Sequence, residues 1–198
     1  MFRLTILRQI TSYRFVFILP LLLLGGLSSA MARGVACEAS GNGELASRAY
    51  FKAKATIYTD FSAKGSLMHA TPWQSGPAGT CPSILLERDR VCRELERLDM
   101  SSPQCPGTRK ALEEDPKCVQ NVLKAKVEAG TCDRTGPIVV SLGGSGTWNG
   151  QPGYIFNVTA RGGAPAHYAI AITAPNGMTL VYTASGNLVS GDLNATVP

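Results

Sequence analysis

Histidine is nearly absent: His69 and His167 are the only two imidazoles in 198 residues. No two cysteines stand in a Cys-x-x-Cys spacing, so the paired knuckles of a zinc site and a dithiol redox motif are both missing. No metal and no cofactor are therefore expected. Acidic pairs suited to proton transfer are also lacking. Glu94 and Glu96 lie two apart on a helix-forming stretch and point to different sides, and Glu113-Glu114-Asp115 reads as a solvated helix start. From Thr135 to the end there is neither Lys nor Glu, and Arg161 and Asp192 are the only charges of their kind.

No acidic residue precedes Glu38, whereas Arg3, Arg8 and Arg14 do. The apolar run from Phe15 to Leu27 is interrupted by Pro20 and Gly25-Gly26, and small residues follow up to Ala30-x-Ala32. A basic head, a short apolar middle and two small residues form the pattern of a cleaved secretory signal over residues 1–32. The alternative, an uncleaved anchor, needs about 20 apolar residues to cross the hydrocarbon. Removing residues 1–32 takes away three arginines and lowers the formal charge from +5 to +2. Lys52, Lys54, Lys64, Lys124 and Lys126 are scattered along the chain among acids, so no run of like charge remains and no nucleic-acid partner is expected. No membrane association is expected after cleavage either. The compartment implied is periplasmic or extracellular.

Six cysteines behind such a leader, Cys37, Cys81, Cys92, Cys105, Cys118 and Cys132, read as a disulfide framework. Residues 83–99 carry Ile84, Val91, Leu95 and Leu98 at helical spacing with Ser83 as a cap. A second helix is predicted over 116–129: Asp115 caps it, Pro116 takes the first position, Gly130 ends it, and Val119, Val122, Leu123 and Val127 form its stripe. Two such helices folding back on each other give the nested pairing 81–132, 92–118 and 37–105, one of 15 possible for six cysteines.

The flanks read as β-structure. Ala49, Phe51, Ala53, Ala55 and Ile57 alternate with Tyr50, Lys52, Lys54, Thr56 and Tyr58, the period of a half-buried strand. A turn at 62–65 and a return strand over 66–71 complete a hairpin. Beyond Cys132, strands are predicted over 137–142, 153–159, 167–173, 178–183 and 187–190, broken at Gly143-Gly144, Gly162-Gly163, Pro175-Asn-Gly177 and Ser185-Gly186. Tyr154–Val158 with Leu180–Val189 resembles the sheet of PepSY-type exported domains in hairpin chemistry alone, and no functional expectation rests on it.

The fold class expected is α+β: a disulfide-stapled helical hairpin (81–134) between a β-hairpin segment (33–80) and a small C-terminal antiparallel sheet or sandwich (135–198). Leu142-Gly-Gly-Ser-Gly-Thr-Trp148 lacks the second glycine of a nucleophile elbow, and its glycine spacing misses the dinucleotide fingerprint by one residue. Trp73 and Trp148 lie in Gly- or Pro-rich stretches, where an aromatic can serve as a binding platform or fold back onto a core. With Asn149 and Tyr154 they are the candidate binding residues. The function expected is an exported, non-enzymatic protein that binds another protein or a cell-envelope polymer. Two alternatives stay open: an envelope hydrolase using His167 or His69 with Ser145, and a membrane-tethered subunit of an envelope assembly.

Overall fold

The alternation around Phe51 extends to almost every strand in the computed structural model, which describes residues 33–196; the signal-like segment 1–32 lies outside the described residues. In chain order the elements are β1 (Val35–Leu45), β2 (Tyr50–Tyr58), β3 (Ser62–Ala70), β4 (Gln74–Ser75), α1 (Ser83–Arg97), α2 (Cys105–Glu114), β5 (Cys118–Val119), β6 (Val122–Asp133), β7 (Val139–Trp148), β8 (Gln151–Arg161), β9 (His167–Thr173) and β10 (Leu180–Thr196). Eight of these strands close into one antiparallel barrel in the order β1-β10-β9-β8-β7-β6-β3-β2. Each strand pairs with its chain neighbour, apart from the closure of β10 on β1 and the pairing of β3 with β6 across an insertion. Closure leaves the barrel no free sheet edge.

This corrects the expected α+β arrangement. The flanking segments are not a separate hairpin and sandwich, because strands from both complete a single sheet. The second predicted helix is in fact β5 and β6. Leu123, Ala125 and Val127 face the core while Lys124, Lys126 and Glu128 face out, and a six-residue stretch of this kind satisfies a helical and an extended pattern alike. Pairing with β3 on one side and β7 on the other decides for the strand. Asp115 caps a turn instead, accepting from the Lys117 amide at 2.9 Å. A helical hairpin does exist, but it is α1 with α2, inside the insertion between β3 and β6.

The predicted break at Gly143-Gly144 lies within β7. A Cβ on Gly144 would stand 2.0 Å from the Lys126 carbonyl oxygen and 2.9 Å from a ring carbon of Phe156, so only hydrogen fits there. Ser185-Gly186 likewise lies within β10. Pro175-Asn-Gly177 forms the expected turn between β9 and β10. Asn176 Oδ1 accepts from the amides of Met178 and Thr179, and Gly177 takes φ +70.

All six cysteines are paired, but as 37–132, 81–118 and 92–105. None of the three expected bridges occurs, because that pairing rested on a helix at 116–129. With Cys118 in β5 beside the start of the insertion, it reaches Cys81. Cys132, at the far end of β6, reaches Cys37 on β1. Three disulfides indicate an oxidising, extracytoplasmic environment.

The barrel interior is apolar: Phe51, Ile57, Leu67, Leu123, Leu142, Phe156, Tyr168 and Ile172 form the buried core. Outward positions on β2, β3 and β6 are mostly polar, with Lys52, Lys54, Lys64, Ser66, Lys124, Lys126 and Glu128, while Ile155 on β8 and Val181 and Val189 on β10 are exposed apolar residues. No helix among the described residues is long and apolar enough to cross a membrane.

Candidate binding groove

An eight-stranded barrel is just wide enough to be filled by its own side chains or to hold one small ligand. Here the side chains fill it. Phe51 on β2 stacks on Tyr168 of β9 with ring centroids 4.0 Å apart, and His69 at the end of β3 lies nearly parallel to Tyr168 at 5.9 Å. His69 Nε2 lies 3.3 Å from the Tyr182 hydroxyl, and Nδ1 lies 3.5 Å from that of Tyr168. Trp148 packs against Tyr182 at 5.4 Å. Burial without a carboxylate partner lowers the His69 pKa to about 4, so the ring is neutral at pH 7. Desolvation raises the Tyr168 hydroxyl far above the usual phenol range. The interior void, lined by Ala39, Val140, Leu142, Val158 and Leu193 among others, measures about 30 Å³. That is room for a single water at most, against the 300–1,000 Å³ of an ordinary ligand site.

The larger concavity lies outside the wall. The insertion folds back over the outer faces of β1, β2, β3 and β6 and leaves a groove of about 1090 Å³. Several contacts hold it there. β4 pairs with β5, and Cys81–Cys118 closes the same stem. Thr71 and Asn121 exchange hydrogen bonds at 2.9 and 3.0 Å, and Gln120 Nε2 donates to the Thr71 carbonyl at 2.8 Å. Cys92–Cys105 fixes α2 against α1, and Arg109 reaches Glu96 at 2.7 Å. Arg93 forms an ion pair with Asp89 at 2.8 Å, nearly sealed from solvent, and also donates to the Arg48 carbonyl in the β1–β2 turn. Burial outweighs Arg93 in raising the Asp89 pKa. The helix face expected to be buried is not: Ile84, Val91 and Leu98 are exposed, and Asp89 and Cys92 point inward instead.

The floor of the groove is set by strand register. Lys52 on β2 stands opposite Met68 on β3, which stands opposite Lys124 on β6. One row further along the strands, Lys54, Ser66 and Lys126 align in the same way, and Lys64 follows beside Thr56. The neighbours outside these first two rows are Asn42 and Ser40 on β1 and Thr147 and Ser145 on β7. The five lysines that look scattered in the sequence thus share one outer wall. All five are exposed, and none enters an ion pair among the described residues.

The four candidate binding residues are split by this geometry. Trp73 and Asn149 line the groove. Asn149 has a structural task there: its Oδ1 accepts from the Val122 amide at 2.9 Å and its Nδ2 donates to Asn121 at 2.7 Å. Trp148 and Tyr154 turn inward and pack on the barrel core. Nor do the residues of a hydrolase meet. Ser145 donates to Glu128 at 3.1 Å, His167 lies 3.2 Å from Ser185, and His69 is sealed inside the barrel. Lys52 and Met68 fall on predicted strands, but nothing local in the sequence brings them together with Lys124, since the three belong to three strands. The alternation Leu123–Glu128 would have been the one clue to the third.

The chain matches no family model, no curated protein and no solved structure. The architecture alone defines it: a disulfide-bonded, filled up-and-down barrel carrying a helical insertion on its outer wall.

Proposed function

We propose that the chain is an exported, non-enzymatic binding protein of the periplasm or extracellular space, and that it engages its partner from outside the barrel. The observation that carries this reading is the groove between the insertion and the β2-β3-β6 wall, far larger than the interior void. Its framework is rigid, being tied at both ends of the insertion and cross-linked twice within it. A preorganised surface loses little entropy on binding, which favours a recognition role.

The test uses residues 33–198, oxidised, as immobilised bait against a cell-envelope extract. Met68→Glu places an anion in the groove floor between Lys52 and Lys124, whereas His167→Ala alters a remote half-buried ring. A ligand retained by wild type and by His167→Ala, but lost by Met68→Glu, supports the reading. A ligand held equally by Met68→Glu moves the binding site off the groove. Turnover of any envelope substrate that His167→Ala abolishes would favour the hydrolase alternative.

A further inference from the structure

We infer that the outer wall of β2, β3 and β6 is a docking face for an acidic polysaccharide, an inference that rests on the binding-protein reading above. Strands lie about 4.8 Å apart and same-face residues about 7 Å apart along a strand. Lys52, Lys54, Lys124 and Lys126 therefore mark the corners of a rectangle roughly 7 by 10 Å at the backbone, with Met68 and Ser66 along its midline. No acid stands in these rows on β2, β3 or β6. The nearest acids on the wall are Glu128, one step beyond Lys126 and accepting from Ser145, Glu38 beside Thr56, and Asp192 beyond Asn42. Asn42, Ser40, Thr147 and Ser145 flank the rows, and Lys64 extends the patch toward the far end of the barrel. Met68 and Ser66 keep the lysines from facing one another directly, so these exposed, unpaired ammonium groups repel only weakly, but together they set a positive field that favours a ligand bringing negative charge between them.

The shape selects among polyanions. Row one, Lys52 and Lys124, runs under the insertion, whereas Lys54 and Lys126 stand on open wall beyond the groove. An extended polymer can lie along the open rows and enter the groove, where the Lys52, Met68 and Lys124 floor meets Trp73 and Gln120. The insertion side of that groove is mixed in charge, Glu96, Asp99 and Glu113 standing beside Arg93, Arg97 and Arg109, with Glu44 on β1 at its edge. The polymer is therefore held by the open rows, and only a thin single strand, not a stiff and densely charged double helix, passes beneath the insertion. On the open row of Lys54, Ser66 and Lys126 no aromatic ring stands to stack a base, the contact on which single-stranded nucleic acid binding depends; Trp73 and Tyr50 lie only within the groove. Sulfate, phosphate or uronate groups spaced one sugar apart fit the lysine spacing without either requirement.

The experiment measures binding of oxidised residues 33–198 to dextran sulfate, with uncharged dextran and a short DNA duplex as comparison probes, over a series of salt concentrations. Lys54→Gln/Lys126→Gln removes two charges from the open wall. Arg88→Gln/Arg161→Gln removes the same net charge from exposed positions elsewhere. Dextran sulfate binding with a salt slope that falls by about two in the lysine variant and stays unchanged in the arginine variant is the expected result. Equal losses in the two variants would reduce the effect to net charge and overturn the assignment of the face. Binding of the duplex as tight as that of dextran sulfate would overturn the polysaccharide assignment. If dextran sulfate fails to bind while the envelope bait still captures a Met68→Glu-sensitive partner, the inference falls and the binding-protein reading stands.

Discussion

His69 makes the protein sensitive to acid through a route that no other buried group shares. Its ring is fully buried, faces the hydroxyls of Tyr168 and Tyr182, and has a pKa lowered by burial from 6.5 to about 4. In the unfolded chain the ring takes up a proton below its ordinary value, while in the folded barrel it stays neutral until about pH 4. Above pH 6.5 both states are neutral and the residue contributes no pH dependence. As the pH falls from 6.5 toward 4, the unfolded state binds more protons and stability declines at about 1.4 kcal/mol per pH unit. The loss between pH 7 and 4.5 is thus about 2.5 kcal/mol. Carboxylates with lowered pKa values, Asp60, Glu87, Glu94 and Asp133, add their own losses as the pH falls through the ordinary carboxylate range, so the decline between pH 6.5 and about 5 belongs to His69. Asp89, raised by burial, acts in the opposite direction and is common to both proteins compared. The assay is urea denaturation at steps from pH 7 to 4.5 for the native chain and His69→Gln. A decline in the native chain that His69→Gln removes is expected. Parallel curves for the two proteins would refute the reasoning.

Gly144→Val forces a branched side chain against the Lys126 carbonyl and the Phe156 ring, and should cost at least 1–3 kcal/mol, read as a lowered denaturation midpoint. Arg93→Ala leaves the Asp89 carboxylate buried without its partner and should destabilise by about 3–5 kcal/mol, whereas Asp89→Leu/Arg93→Leu should recover most of that loss in the same assay. Cys37→Ser/Cys132→Ser opens a bridge between residues 95 apart in sequence and should cost about 4–5 kcal/mol on loop-closure entropy, measured by thermal unfolding against the parent.

The barrel was partly visible in the chain. The strand around Phe51 shows itself because its two faces differ at every step, and Asn176-Gly177 shows itself because the turn needs those residues. β6 was hidden, since Val122, Leu123 and Val127 suit a helix stripe as well as a strand, and Asp115-Pro116 imitates a helix start. That single ambiguity carried the cysteine pairing with it: once 118 and 132 are on strands, their partners change. Gly144 and Gly186 resembled breaks because a glycine in a crowded wall and a glycine in a turn look alike without neighbours. The lysine wall was illegible for a different reason. Lys54 and Lys126 meet across Ser66 only through strand register, which brings together residues from opposite sides of the helical insertion. That Trp148 packs on the core while Trp73 lines the groove likewise depends on which side of a closed wall each one faces.

A tryptic digest of the unreduced protein tests the architecture most directly, because Lys or Arg residues separate every pair of successive cysteines. The closed barrel with its stapled insertion predicts linked peptides joining Cys37 to Cys132, Cys81 to Cys118 and Cys92 to Cys105. Peptides joining Cys81 to Cys132 or Cys92 to Cys118, or thiols free to alkylate, would contradict it.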